Sequence, residues 1–114
     1  MKVQLVTFPG CPNADATRET LRRALVASGL DPAIEEIDSS SPQTPRPLCL
    51  WGSPTVLIEG VDVGGEETPA GPACRLYRDP SGRAHGSPSE LLLLEAIRLA
   101  LNARSRDAGV AKPS

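Results

Sequence analysis

The first apolar stretch, residues 2–8 (KVQLVTF), places Val, Leu and Phe side chains on both alternating faces, as in a strand covered on each side. Pro9-Gly10 ends it. After Cys11-Pro12-Asn13, the positions Ala14, Thr17, Leu21, Ala24, Leu25 and Ser28 recur at spacings of three and four. This predicts an amphipathic helix from about residue 12 to residue 28. Pro12 suits its first turn, Arg22 and Arg23 lie toward its C-terminal end, and Gly29 fits its C-terminal cap.

Residues 33–38 (AIEEID) read as a second, short strand. The opening third is then a βαβ unit with parallel strands and a right-handed crossover. Pro42, Pro45 and Pro47 fall within residues 39–53, so any second helix there is short or replaced by turns. Pro54 to Glu59 and Val61 to Val63 flank Gly60 and precede Gly64-Gly65, which predicts a hairpin. Residues 66–87, rich in Gly, Pro, Asp and Ser, form an insertion in which Cys74 to Arg78 could add a strand. A long loop in a small domain is either functional or a tolerated surface excursion. The last helix begins at Ser87-Pro88-Ser89-Glu90, with Ser87 as cap, Pro88 in the first position and Glu90 completing a capping box. Its predicted buried stripe is Leu91, Leu94, Ile97, Leu99, Ala100 and Leu101, and the polar segment after about residue 104 should fray.

Composition narrows the function classes. The chain of 114 residues is predicted to hold one domain, residues 1–104, followed by a polar tail, residues 105–114. Hydrophobic residues make up 39% but aromatic residues only 3%, so the core must be aliphatic. Net charge is −2 without a Lys/Arg run to track phosphates, so no nucleic-acid partner is predicted. The start MKVQLVTF lacks the apolar stretch of a secretion signal, and no segment reaches the ~20 apolar residues of a membrane span. A cytoplasmic protein without membrane partners is expected. Three cysteines, an odd number without paired spacing, point to free thiols in a reducing compartment.

One thiol is placed for chemistry. A helix N-terminus carries partial positive charge and unpaired N–H groups, which favour the thiolate form of a cysteine set against it. Cys11 is predicted there. A buried, inert cysteine is the alternative.

The element order, with a cysteine directly after the first strand, resembles the thioredoxin-like superfamily. Phe8-Pro9-Gly10-Cys11-Pro12-Asn13-Ala14 is similar to the active-site turn of glutaredoxins, Ser53-Pro54-Thr55 to the cis-proline segment before the third strand, and Val63-Gly64-Gly65 to the glycines after the fourth. The GCP start and the Cys74-Arg75-Leu76-Tyr77 segment also resemble small bacterial thioredoxin-like proteins grouped near alkylmercury lyases. The resemblance implies an α/β, minimal thioredoxin-like fold (β-α-β-β-β-α). Its mixed four-stranded sheet would carry helices on its faces and an insertion before the last helix. It further implies that Pro54 is cis and faces Cys11, and that Pro12, Ser53, Pro54, Thr55, Gly64 and Gly65 bind a thiol or disulfide substrate, small molecule or protein. Glutathione is the candidate co-substrate, with no other cofactor and no metal.

Ala14 stands where the second cysteine of a C-x-x-C motif would be, so no disulfide can form within the turn. Cys74 is the candidate to resolve a mixed disulfide on Cys11, with burial beside Leu76 as the alternative. Cys49, in Leu48-Cys49-Leu50-Trp51, reads as apolar packing. His85 is a solvated loop histidine or a general base. Glu66-Glu67 are an exposed acidic pair or contacts for a glutathione-like ligand, and Trp51 shields the thiol or packs at the core rim. A thiol-dependent oxidoreductase is therefore the first expectation. A non-catalytic module that binds a soft metal or a protein partner is the second, although the cysteine spacing lacks the close pairs of metal motifs.

Overall fold

The computed structural model describes residues 1–66, residue 71 and residues 74–111, of which 105–111 are described as backbone only. The elements run β1 (Val3–Thr7), α1 (Ala14–Ala27), β2 (Glu35–Asp38), α2 (Arg46–Cys49), β3 (Thr55–Ile58), β4 (Val61–Asp62), β5 (Tyr77–Arg78), β6 (Ala84–His85) and α3 (Glu90–Ala111). The fold is mixed α/β. Four strands form one sheet in the order β2-β1-β3-β4, while β5 and β6 pair as a separate hairpin. As expected of a βαβ unit, β1 and β2 are parallel, with Gln4 opposite Glu35. Strands β1 and β3 are antiparallel, with Leu5 opposite Val56, and β3 and β4 form the expected hairpin. Its turn residues Glu59 and Gly60 both have positive φ (52° and 79°), the sign that a two-residue type I′ turn requires.

Alternation along the central strands sorts side chains into two layers. Val3, Leu5, Val56 and Ile58 join Leu21, Ala24 and Leu25 of α1 and Leu93 and Ile97 of α3 in the larger cluster. Val6, Ile37 and Leu57 meet on the opposite face, where Leu48 and Trp51 cover them. The proline-rich link thus supplies a single short helix and a tryptophan in place of a full crossover helix.

Helix α1 keeps its predicted stripe but begins at Ala14 rather than near residue 12. Two turns intervene, since the Cys11 N–H donates to the Phe8 carbonyl (3.2 Å) and the Ala14 N–H to the Cys11 carbonyl (3.4 Å). Pro12 therefore lies outside the first turn, and Asn13 is the cap residue. At the other end Gly29 has φ +75°. Gly29 N–H bonds to the Val26 carbonyl and Leu30 N–H to the Leu25 carbonyl, a complete Schellman closure.

Helix α3 departs from expectation in both cap and phase. The hydroxyl of Ser89, not that of Ser87, accepts from the Leu92 N–H at 3.1 Å, so Glu90 falls in the first helical position and the capping box is not formed. Both serines suit a cap by type, and Pro88 is buried just before the helix, which sets the start two residues later. The buried residues are Leu93 and Ile97, whereas Leu91 and Leu99 are 79% and 55% exposed. Four consecutive leucines allow more than one phase, and packing against α1 selects one. The helical backbone continues to Ala111, across the stretch expected to fray. Ser89→Ala should lower the unfolding free energy by about 1 kcal/mol in urea titration, with Ser87→Ala near neutral; the reverse order would restore the predicted cap.

Candidate functional site

Cys11 sits in the turn between β1 and α1, half-buried and unpaired by disulfide. Gly10, with φ +85°, lets the chain reverse before it. Cys11 lines a depression of about 460 Å³ whose other walls include Phe8, Ala14, Asp15, Arg18, Glu36 and Asp38. Arg18 reaches from α1 to β2, donating to Glu36 (2.5 and 2.9 Å) and to Asp15 (2.7 Å). The hydrogen bonds to Glu36 and then Asp15 hold its guanidinium charged. The Ser40 hydroxyl and N–H both donate to Asp38, and these bonds hold that carboxyl below its usual range.

The Ser53–Pro54 peptide is cis, as the sequence resemblance implied. Ser53, Pro54 and Thr55 are all buried, and the backbone of this segment is occupied from within the chain. Arg75 N–H donates to the Ser53 carbonyl at 2.9 Å, Ser53 forms a parallel bridge with Cys74, and the Tyr77 hydroxyl donates to the Pro54 carbonyl at 2.6 Å. Burial pushes the Tyr77 phenol up to about 12, so it remains a donor throughout the neutral range. Among the described residues the Ser53 hydroxyl has no hydrogen-bond partner.

Arg75 is the organiser of this region. Its guanidinium donates to both carboxylate oxygens of Asp62 (2.6 and 2.5 Å) and to the Thr55 hydroxyl (3.1 Å). It also lies over the rings of Tyr77 (4.5 Å) and Trp51 (5.7 Å), within reach of cation–π attraction. Gly64 has a structural reason here, since a Cβ at that position would collide with the Arg75 guanidinium. Gly65, with φ +84°, closes the turn after β4 by donating to the Asp62 carbonyl. Asp62 also accepts from the Glu66 N–H at 3.0 Å.

The remaining predicted residues are distributed around this frame. Cys74 is exposed and lines a different depression, of about 280 Å³, with Trp51, Glu66, Arg75 and Leu76; no described depression contains both Cys11 and Cys74. Cys49 is half-buried, its Sγ 3.5 Å from the Thr44 carbonyl, consistent with packing. His85 is exposed and its Nε2 lies 2.8 Å from Asp79 Oδ2, a lock across the Asp79-Pro80-Ser81-Gly82 turn. Glu66 is exposed, and Glu67 lies outside the described residues.

Sequence reasoning did not single out Asp62 or assign Arg75 a partner. The signal was an acid between Val61 and Val63: simple alternation turns Asp62 outward, yet Asp62 is 4% and Val61 68% exposed. Among the described residues no group of three or more His, Cys, Asp and Glu side chains is arranged to hold a metal ion, and no helix is long and apolar enough to cross a membrane. No family model matches the chain, nor does any curated protein or solved structure.

Proposed function

We propose that the protein is a thioredoxin-like thiol redox protein of the single-cysteine type, acting through Cys11. The observation that carries this reading is a free, half-buried cysteine in the turn from the central strand β1 into α1, lining a depression of small-molecule size. The strand order β2-β1-β3-β4 and a cis Ser53–Pro54 before β3 agree with the resemblance in the sequence. In the reaction, the Cys11 thiolate attacks one sulfur of a disulfide, forming a mixed disulfide and expelling the other half as a thiolate. An external thiolate then attacks the mixed disulfide, returning Cys11 and carrying away the bound half as a new disulfide. Ala14 supplies no internal partner, and the separate depressions of Cys11 and Cys74 favour an external thiol over Cys74 as the resolving group.

A second reading draws on the closed Pro54 segment. The Ser53 and Pro54 carbonyls already accept from Arg75 and Tyr77, which leaves less open backbone for a substrate and favours a non-catalytic module whose thiols bind a soft metal or whose surface binds a protein. Kinetics separate the two. With 2-hydroxyethyl disulfide as substrate, peptide mapping should find the mixed disulfide at Cys11 first, and Cys11→Ser should lower the rate of reduction by at least about 100-fold. Cys49→Ser and Cys74→Ser should leave it unchanged. Modification of Cys11 no faster than of Cys49 and Cys74 would leave the module reading in possession.

A further inference from the structure

Resting on the redox reading of Cys11, we infer that its preferred partner is a small disulfide carrying positive charge beside the sulfur, such as an amine-bearing one, rather than an anionic one. The depression of about 460 Å³ that Cys11 lines lies within the size of small-ligand sites. Its lining residues include the acids Asp15, Glu36 and Asp38 beside the cation Arg18, with the Asp15 side chain 96% and that of Glu36 48% exposed. Arg18 is moreover spent on two of those carboxylates, so its fork is not free to receive an anion. Among the described residues Asp38 pairs with no cation and accepts instead from Ser40. The lining is thus an excess of negative charge around a nucleophile that is itself negative when it reacts. An incoming cation relieves that repulsion, whereas an incoming carboxylate adds to it.

The chemical step is unchanged by this selection. Cys11 thiolate forms a bond to the nearer sulfur, the S–S bond of the partner breaks, and the departing half leaves as a thiolate that takes a proton from water. Selection acts on encounter and on the bound half, whose ammonium would face the carboxylates.

Three small disulfides of different charge provide the test: cystamine (cationic), 2-hydroxyethyl disulfide (neutral) and 3,3′-dithiodipropionate (anionic). Rates of mixed-disulfide formation at Cys11 in the full chain are read by peptide mapping and divided by the rates of 2-mercaptoethanol with the same compounds. At low salt the normalised rate for cystamine should exceed that for dithiodipropionate by about tenfold, shrinking toward unity as salt shortens the Debye length. Asp38→Asn should reduce the preference and Arg18→Gln should increase it, opposite shifts that a general loss of structure would not produce. Equal normalised rates, or a faster anion, overturn the charge selection while leaving the redox reading intact. Failure of Cys11 to react with any of the three while 2-mercaptoethanol does overturns the redox reading and this inference with it.

Discussion

Arg75→Ala is expected to lower the unfolding free energy by about 3–5 kcal/mol, the cost of stripping a buried charge of its partner. The Asp62 side chain is fully buried and that of Arg75 is 13% exposed, so water cannot take the place of the lost guanidinium. Burial works against the charge of Arg75, and the hydrogen bond and charge of Asp62 more than offset it, holding the group protonated. After the substitution Asp62 retains only the Glu66 N–H among its side-chain partners described here. Urea unfolding of the single variants and of Asp62→Ala/Arg75→Ala would separate pairing from burial. The double variant should recover part of the loss, because no orphaned carboxylate remains. A loss below about 1 kcal/mol for Arg75→Ala would mean that the pair behaves as a surface salt bridge. The functional consequence follows from the same contacts. Arg75 ties residues 74–77 to Thr55 and to the end of the sheet, and its removal should loosen the cover over Ser53 and Pro54.

Leu93→Ala and Ile97→Ala should each cost about 2–5 kcal/mol, whereas Leu91→Ala should cost almost nothing. Leu93 and Ile97 are fully buried against the sheet and α1, while Leu91 stands 79% exposed. With an aromatic content of 3%, the core has few large rings to close over a cavity, so each lost aliphatic side chain should be felt. Thermal or urea unfolding of the three variants reads the phase of α3 directly. A large effect at Leu91 with little at Leu93 would rotate the helix to the stripe expected from spacing alone.

Much of the scaffold is legible in the sequence. Strong local signals, the two-sided apolar β1, the three-four spacing of α1 and the Gly60 hairpin, placed their elements to within a few residues. The position of Cys11 after β1 was legible for the same reason. Phase and capping were harder. Leu91 to Leu94 present apolar side chains in every direction, and Ser87 and Ser89 offer the same chemistry two residues apart, so only contact with α1 and the burial of Pro88 distinguish them.

Local pattern determined the elements of this protein because backbone hydrogen bonding and burial periodicity act over a few residues at a time. It also determined that Cys11 has no companion at Ala14, which rules out a disulfide within the turn. Tertiary structure decided what faces what. Arg75 lies 13 residues from Asp62 and 20 from Thr55, and no spacing rule ties such positions, because their pairing depends on the insertion folding back across β3 and β4. The same holds for the walls around Cys11, where Arg18 of α1 meets Glu36 of β2 across 18 residues of sequence. Charges gathered from separate elements set the character of a site, and only the packed chain brings them together.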